Sequence, residues 1–119
     1  MKNLLFPVLC ILFLSGCSPH PSSGIWNAEG DNSLGIASLT VDFGGKAVFT
    51  SSKVKPATWH CFWSNAGEQT AHFDCTPSTN TETEERFVFT VKDGDIADLS
   101  QDGKLIGRFL RTEGNPVIP

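Results

Sequence analysis

The sixteen residues HCFWSNAGEQTAHFDC, from His60 to Cys75, hold most of the side chains in this 119-residue chain that could do chemistry: two of three histidines, two of four cysteines and Asp74. If Cys61 and Cys75 face each other across one hairpin, His60 and Asp74 become diagonal neighbours on the opposite face. A carboxylate beside an imidazole there could orient a general base. No recognisable motif places a serine or cysteine nucleophile against that pair, so the chain is read as non-enzymatic, with no catalytic residue. In the same register His72 stands about four rungs from His60, and at ~3.3 Å per residue that is too far for a shared metal. Asp93-Gly94-Asp95 with Asp98 lacks the later glycine and bidentate glutamate of a calcium loop, and reads as a hairpin turn. Neither a metal nor a diffusible cofactor is expected.

The other two cysteines lie near the start. Lys2 gives a positive beginning, residues 4–14 are apolar apart from Pro7, and Ser15-Gly16-Cys17 follows. That is the layout of a secretory leader, too short to remain as a membrane-spanning helix. Leu14-Ser15-Gly16-Cys17 resembles the lipobox of bacterial lipoproteins. The resemblance implies that the Cys17 thiol takes a diacylglycerol, that residues 1–16 are removed, and that the freed amine is acylated. The only cofactor-like group would then be this covalent lipid, and three acyl chains make a lasting anchor. Ser18, rather than aspartate, follows the cysteine. By the same resemblance this points to the outer membrane of a Gram-negative envelope, with the protein facing the periplasm. Residues 17–24, rich in proline and serine, read as a tether reaching about 20 Å when extended, with His20 solvated in it.

Without the leader 103 residues remain, enough for one small domain. Lys2 is lost, so eight basic residues face thirteen acidic ones and the formal charge is −5. This argues against a nucleic-acid surface. With Cys10 gone and Cys17 acylated, Cys61 and Cys75 remain as an even pair in an exported chain, which reads as a disulfide.

Along the rest of the chain apolar and polar positions alternate in short runs separated by turns. Leu39, Val41 and Phe43 lead to Gly44-Gly45, which suits a two-residue hairpin. Residues 46–51 return. Trp59, Cys61 and Trp63 pair with Ala71, Phe73 and Cys75. Phe87, Phe89 and Val91 run to Asp93-Gly94, residues 96–99 to Asp102-Gly103, and residues 105–110 complete the series. With residues 24–28 as the opening strand, this predicts an all-β fold of about eight short strands, an antiparallel up-and-down meander closing into a small barrel. An open, curled sheet is the alternative. The expected domain is residues 25–111, with 112–119 as a tail. Gly24-Ile25-Trp26 with Arg108 and Arg111 near the end is similar to lipocalins, where a G-x-W opens the first strand and a late arginine packs on the tryptophan. In so small a barrel the resemblance supports the fold more than a carrier activity.

The aromatic residues and the acids supply the candidate binding positions. Trp59, Trp63, Phe73 and the disulfide could fill a core or wall a pocket, Trp26 is a further candidate binding residue, and His60 and Asp74 lie on the face outside the cluster. Residues 76–85, TPSTNTETEE, form a polar loop ending in Glu82, Glu84 and Glu85, suited to a basic protein partner or serving as a spacer. The expected function is a lipid-anchored, protein-binding module of the envelope: an accessory subunit, an inhibitor or an immunity-type protein. The alternative is a lipocalin-like carrier of a small apolar ligand.

Overall fold

Period-two alternation places one side of every strand out of water, and eight such strands bury that side most completely by curling into a closed wall. A computed structural model of the chain describes residues 19–51 and 57–118. The leader, Cys17 and Ser18 fall outside these. The strands are β1 (Gly24–Ala28), β2 (Ile36–Val41), β3 (Lys46–Ser51), β4 (Thr58–Asn65), β5 (Thr70–Pro77), β6 (Glu85–Asp93), β7 (Ile96–Gln101) and β8 (Lys104–Thr112). Each pairs antiparallel with the next, and β1 pairs with β8, for example Trp26 with Arg111, so the meander closes. Among the described strands none presents an open edge for another strand to join.

The inward column reads Trp26, Leu39, Val41, Phe49, Cys61, Phe73, Cys75, Phe87, Phe89, Val91, Leu99 and Phe109, all buried. The rings touch edge to face across the lumen: Phe49 meets Phe73 at 5.3 Å and Phe87 at 5.4 Å, and Trp26 meets Phe89 at 5.1 Å. Such edge-on contacts suit the ring quadrupole and add to the area each ring buries. Cys61 lies directly opposite Cys75, and their disulfide closes a sequence separation of 14 within the core. Trp63 then faces Phe73 and Phe62 faces Asp74, as the assumed register requires.

The turns follow their local chemistry with one departure. Asp102 and Gly103 both have positive φ, 53° and 78°, the backbone of a type I′ hairpin. Between β2 and β3, however, the expected two-residue Gly44-Gly45 turn is a longer loop in which only Gly45 has positive φ. Asp42 decides this, because its Oδ1 accepts the N–H groups of Gly44 and Lys46 and gives the backbone a side-chain partner in place of the ladder. Phe43 is thereby removed from the inward alternation and stands 61% exposed. At the other terminus the chain turns back over the outer wall after β8. Pro116 is buried, and Ile118 joins Lys46, Val48, His60 and Phe62 around a shallow groove between β3 and β4.

Candidate functional site

The two rims of the barrel differ. One carries the β2–β3, β4–β5 and β6–β7 turns, and the segment preceding β1 is laid across it. Trp26 starts the arrangement. Its ring is fully buried and its indole N–H donates to the Ser22 carbonyl at 2.9 Å. The Arg111 guanidinium lies over the same ring, 4.2 Å from its centroid, within range of a cation–π attraction. From there it donates to the Ser23 carbonyl at 2.6 Å, to the Pro21 carbonyl, and to the Gly94 carbonyl at 3.1 Å. One side chain thus ties the incoming chain, the first strand and the β6–β7 turn. Gly24 makes room for it: φ is +142°, and a Cβ there would stand 2.6 Å from Arg111 Nη1. Of the two arginines singled out in the sequence, Arg111 is therefore the one that packs on the tryptophan. Arg108 instead reaches Asp98 on the exposed wall.

His20 completes the strap. Its ring sits 5.5 Å from the Trp63 ring, and its Nε2 lies 2.9 Å from the Gly67 carbonyl. A carbonyl can only accept, so Nε2 carries the proton, and Nδ1 accepts from the Ser22 backbone N–H. Ser22 is wholly buried and Ser23 nearly so. The expected solvated tether over residues 17–24 is thus corrected from His20 onward, since residues 20–23 are docked on the barrel. The reason is hydrogen bonding, which composition does not reveal: the Pro21, Ser22 and Ser23 carbonyls all receive donors from barrel side chains.

Trp63 is half-buried beneath this strap, its indole N–H donating to the Asp42 carbonyl at 3.0 Å. Trp59, four residues earlier on the same inward face, belongs to the opposite rim. It packs on Phe49 and donates to Glu85 Oε2 at 2.9 Å. The two tryptophans therefore close different ends of one core. The outward face disposes of the imagined orienting pair. His60 pairs across with Val48 and Thr76, while Asp74 accepts from Arg86 at 2.8 Å, a bond that raises the Arg86 pKa. The arginine directly opposite on β6 outcompetes a diagonal histidine for the carboxylate. His72 pairs with Ser64, four positions along from His60. Among the described residues no three histidine, cysteine or acidic side chains are grouped to hold a metal ion.

The acidic run also divides. Pro77 ends β5 and Glu85 opens β6, so the loop proper is residues 78–84. Glu85 is spent on Trp59, whereas Glu82 and Glu84 are exposed. The loop is folded on itself rather than a bare spacer: Asn80 N–H donates to Pro77, Thr83 N–H to Asn80, and Glu82 N–H to the Asn80 side chain. On the same rim the β1–β2 loop exposes Glu29 and Asp31 beside a shallow depression lined by Asn32 and Ile36.

Sequence reasoning missed the strap and the role of Asp42. Both depend on carbonyl partners that no residue pattern announces. The closed eight-stranded antiparallel meander is compatible with a lipocalin-like barrel. No family model matches the chain, and no curated protein or solved structure does so.

Proposed function

We propose that this chain is a lipid-anchored, non-enzymatic module of a Gram-negative envelope. It is held in the outer membrane through acylated Cys17, faces the periplasm, and binds a protein through the rim that carries residues 29–35 and 78–84. The single observation that carries the reading is the filled lumen. Trp26, Phe49, Phe73, Phe87, Phe89 and Phe109 are fully buried against one another, which leaves the outer surface and the rims for recognition. Among the described residues the same packing occupies the lumen that a carrier would need open, which favours the binding reading over the carrier alternative. Exposed Glu82, Glu84, Glu29, Asp31 and Asp102 outnumber Lys104 among the described residues of this rim, giving it a negative field that favours a basic partner, and its folded loop loses little entropy on binding.

A photo-crosslinking residue at Glu82 or Glu84, in cells producing the full chain, should capture one protein in stoichiometric yield. The same group at His72, exposed on the outer wall of β5 toward the other rim, should not. Equal, diffuse crosslinking from all three positions would refute a partner at this rim. Metabolic labelling with fatty acid tests the anchor separately: label should enter the wild type and be absent from Cys17→Ser.

A further inference from the structure

The strapped rim carries a second surface. Phe43 at the β2–β3 turn is 61% exposed, Phe62 on the outer wall of β4 is 69% exposed, and Val117 of the returning tail is 76% exposed. These are not scattered. Phe62 pairs with Lys46, the first residue after the turn that holds Phe43, and Ile118 beside Val117 shares a groove with Lys46 and Phe62. One sector of one rim therefore concentrates large apolar side chains that the fold does not bury. An exposed apolar cluster of this kind marks a contact surface.

The path of the chain identifies the occupant. His20 is fixed on Trp63 and Gly67, and Trp63 in turn is bonded to Asp42, the neighbour of Phe43. Three peptide steps separate His20 from Cys17, so at ~3.6 Å per step the anchoring cysteine lies within about 11 Å of His20, on the rim that carries this sector. We infer that the Phe43–Phe62–Val117 sector rests on the bilayer surface to which Cys17 is anchored. The inference rests on the lipoprotein reading above. Apolar side chains held at that distance enter the headgroup and acyl boundary, about 5–10 Å deep, without any spanning element. Lys46 lies within the sector and suits anionic headgroups. Across the same rim, exposed Asp93 and Asp95 disfavour a flat seating, so the barrel leans toward β2, β3 and β4. The acidic loop rim is then carried away from the membrane.

The test uses full-length lipidated protein in vesicles of phosphatidylethanolamine and phosphatidylglycerol, with or without bromine on the acyl chains. Phe43→Trp and Phe62→Trp place a reporter at exposed sites that the fold tolerates. Leu105→Trp, at a comparably exposed site, 62%, near the β7–β8 turn on the other rim, is the comparison. After subtraction of wild-type emission, brominated chains should remove most of the added signal for the first two variants and none for the third. Mass analysis of the N-terminal peptide in each preparation reports acylation. Acylated protein whose added indoles at 43 and 62 are unquenched overturns the membrane contact while the anchor stands. Indoles shielded from both brominated lipid and aqueous iodide overturn it in favour of a protein occupant. A peptide without lipid overturns the anchor itself.

Discussion

Replacing Arg111 by Met should unfasten the strap and cost much of the domain's stability, whereas the same change at Arg108 should do little. Arg111 is buried over most of its side chain, at 26% exposure, and contributes three kinds of contact. Its seat on Trp26 is worth about 1 kcal/mol, as a partly desolvated cation–π pair. Each charged donor onto a part-buried carbonyl, here Ser23 and Pro21, is worth about 1–1.5 kcal/mol once water can compete. The contact to Asp95, itself 84% exposed, adds almost nothing. The loss is therefore about 3 kcal/mol, a large share of the 5–15 kcal/mol usual for a domain. For a domain of this size it lowers Tm by about 12–24 °C. Arg108 is 53% exposed and its partner Asp98 19%, so water screens the pair from the arginine side and Arg108→Met should cost about 1 kcal/mol. Thermal denaturation followed by near-ultraviolet dichroism gives both values. Hydrogen exchange locates the effect: the Ser23 amide, which donates to His20, should exchange faster in Arg111→Met and unchanged in Arg108→Met. If the two variants melt within about 1 kcal/mol of each other, the clamp has been misassigned.

Removing the disulfide with Cys61→Ala and Cys75→Ala together should cost about 3 kcal/mol by loss of the constraint on the unfolded chain, seen as a lower urea midpoint that reductant reproduces in the wild type. Gly24→Ala should destabilise by about 1–3 kcal/mol, because alanine disfavours the local φ and its methyl collides with Arg111. In an Arg111→Met background the steric part should vanish, so a double-mutant cycle should show coupling rather than additivity. Glu85→Ala should cost about 1 kcal/mol by orphaning the Trp59 indole N–H, while Glu82→Ala and Glu84→Ala should each stay within about 0.5 kcal/mol. Chemical denaturation of the three variants decides it, and an equal cost for all three acids would reject that division of labour.

The eight strands were legible because each is short, alternating and bounded by a turn whose residues prefer it. Asp102-Gly103 adopts the expected type I′ geometry for that reason. The pairing of the two cysteines followed from their even number, but their register was only an assumption, which the direct Cys61–Cys75 opposition bears out. Phe43 was misjudged because alternation carries no information about where a side chain such as Asp42 will capture the backbone. His60 and Asp74 failed as a pair because the neighbour that claims Asp74 comes from β6, 12 residues away in sequence.

Alternation, turn chemistry and cysteine spacing are local properties, so the chain by itself determined an all-β meander with one disulfide, and the structure decided that its aromatic residues fill the interior. Closure is not local. Only the pairing of β1 with β8 brings Arg111 over Trp26, across more than eighty residues of chain, and only that contact converts a proline- and serine-rich lead-in into a strap. The tertiary structure thereby decided which rim lies beside the N-terminal segment, which acids stay free, and which aromatic side chains remain exposed. Each of those outcomes depends on partners that become neighbours only when the barrel closes.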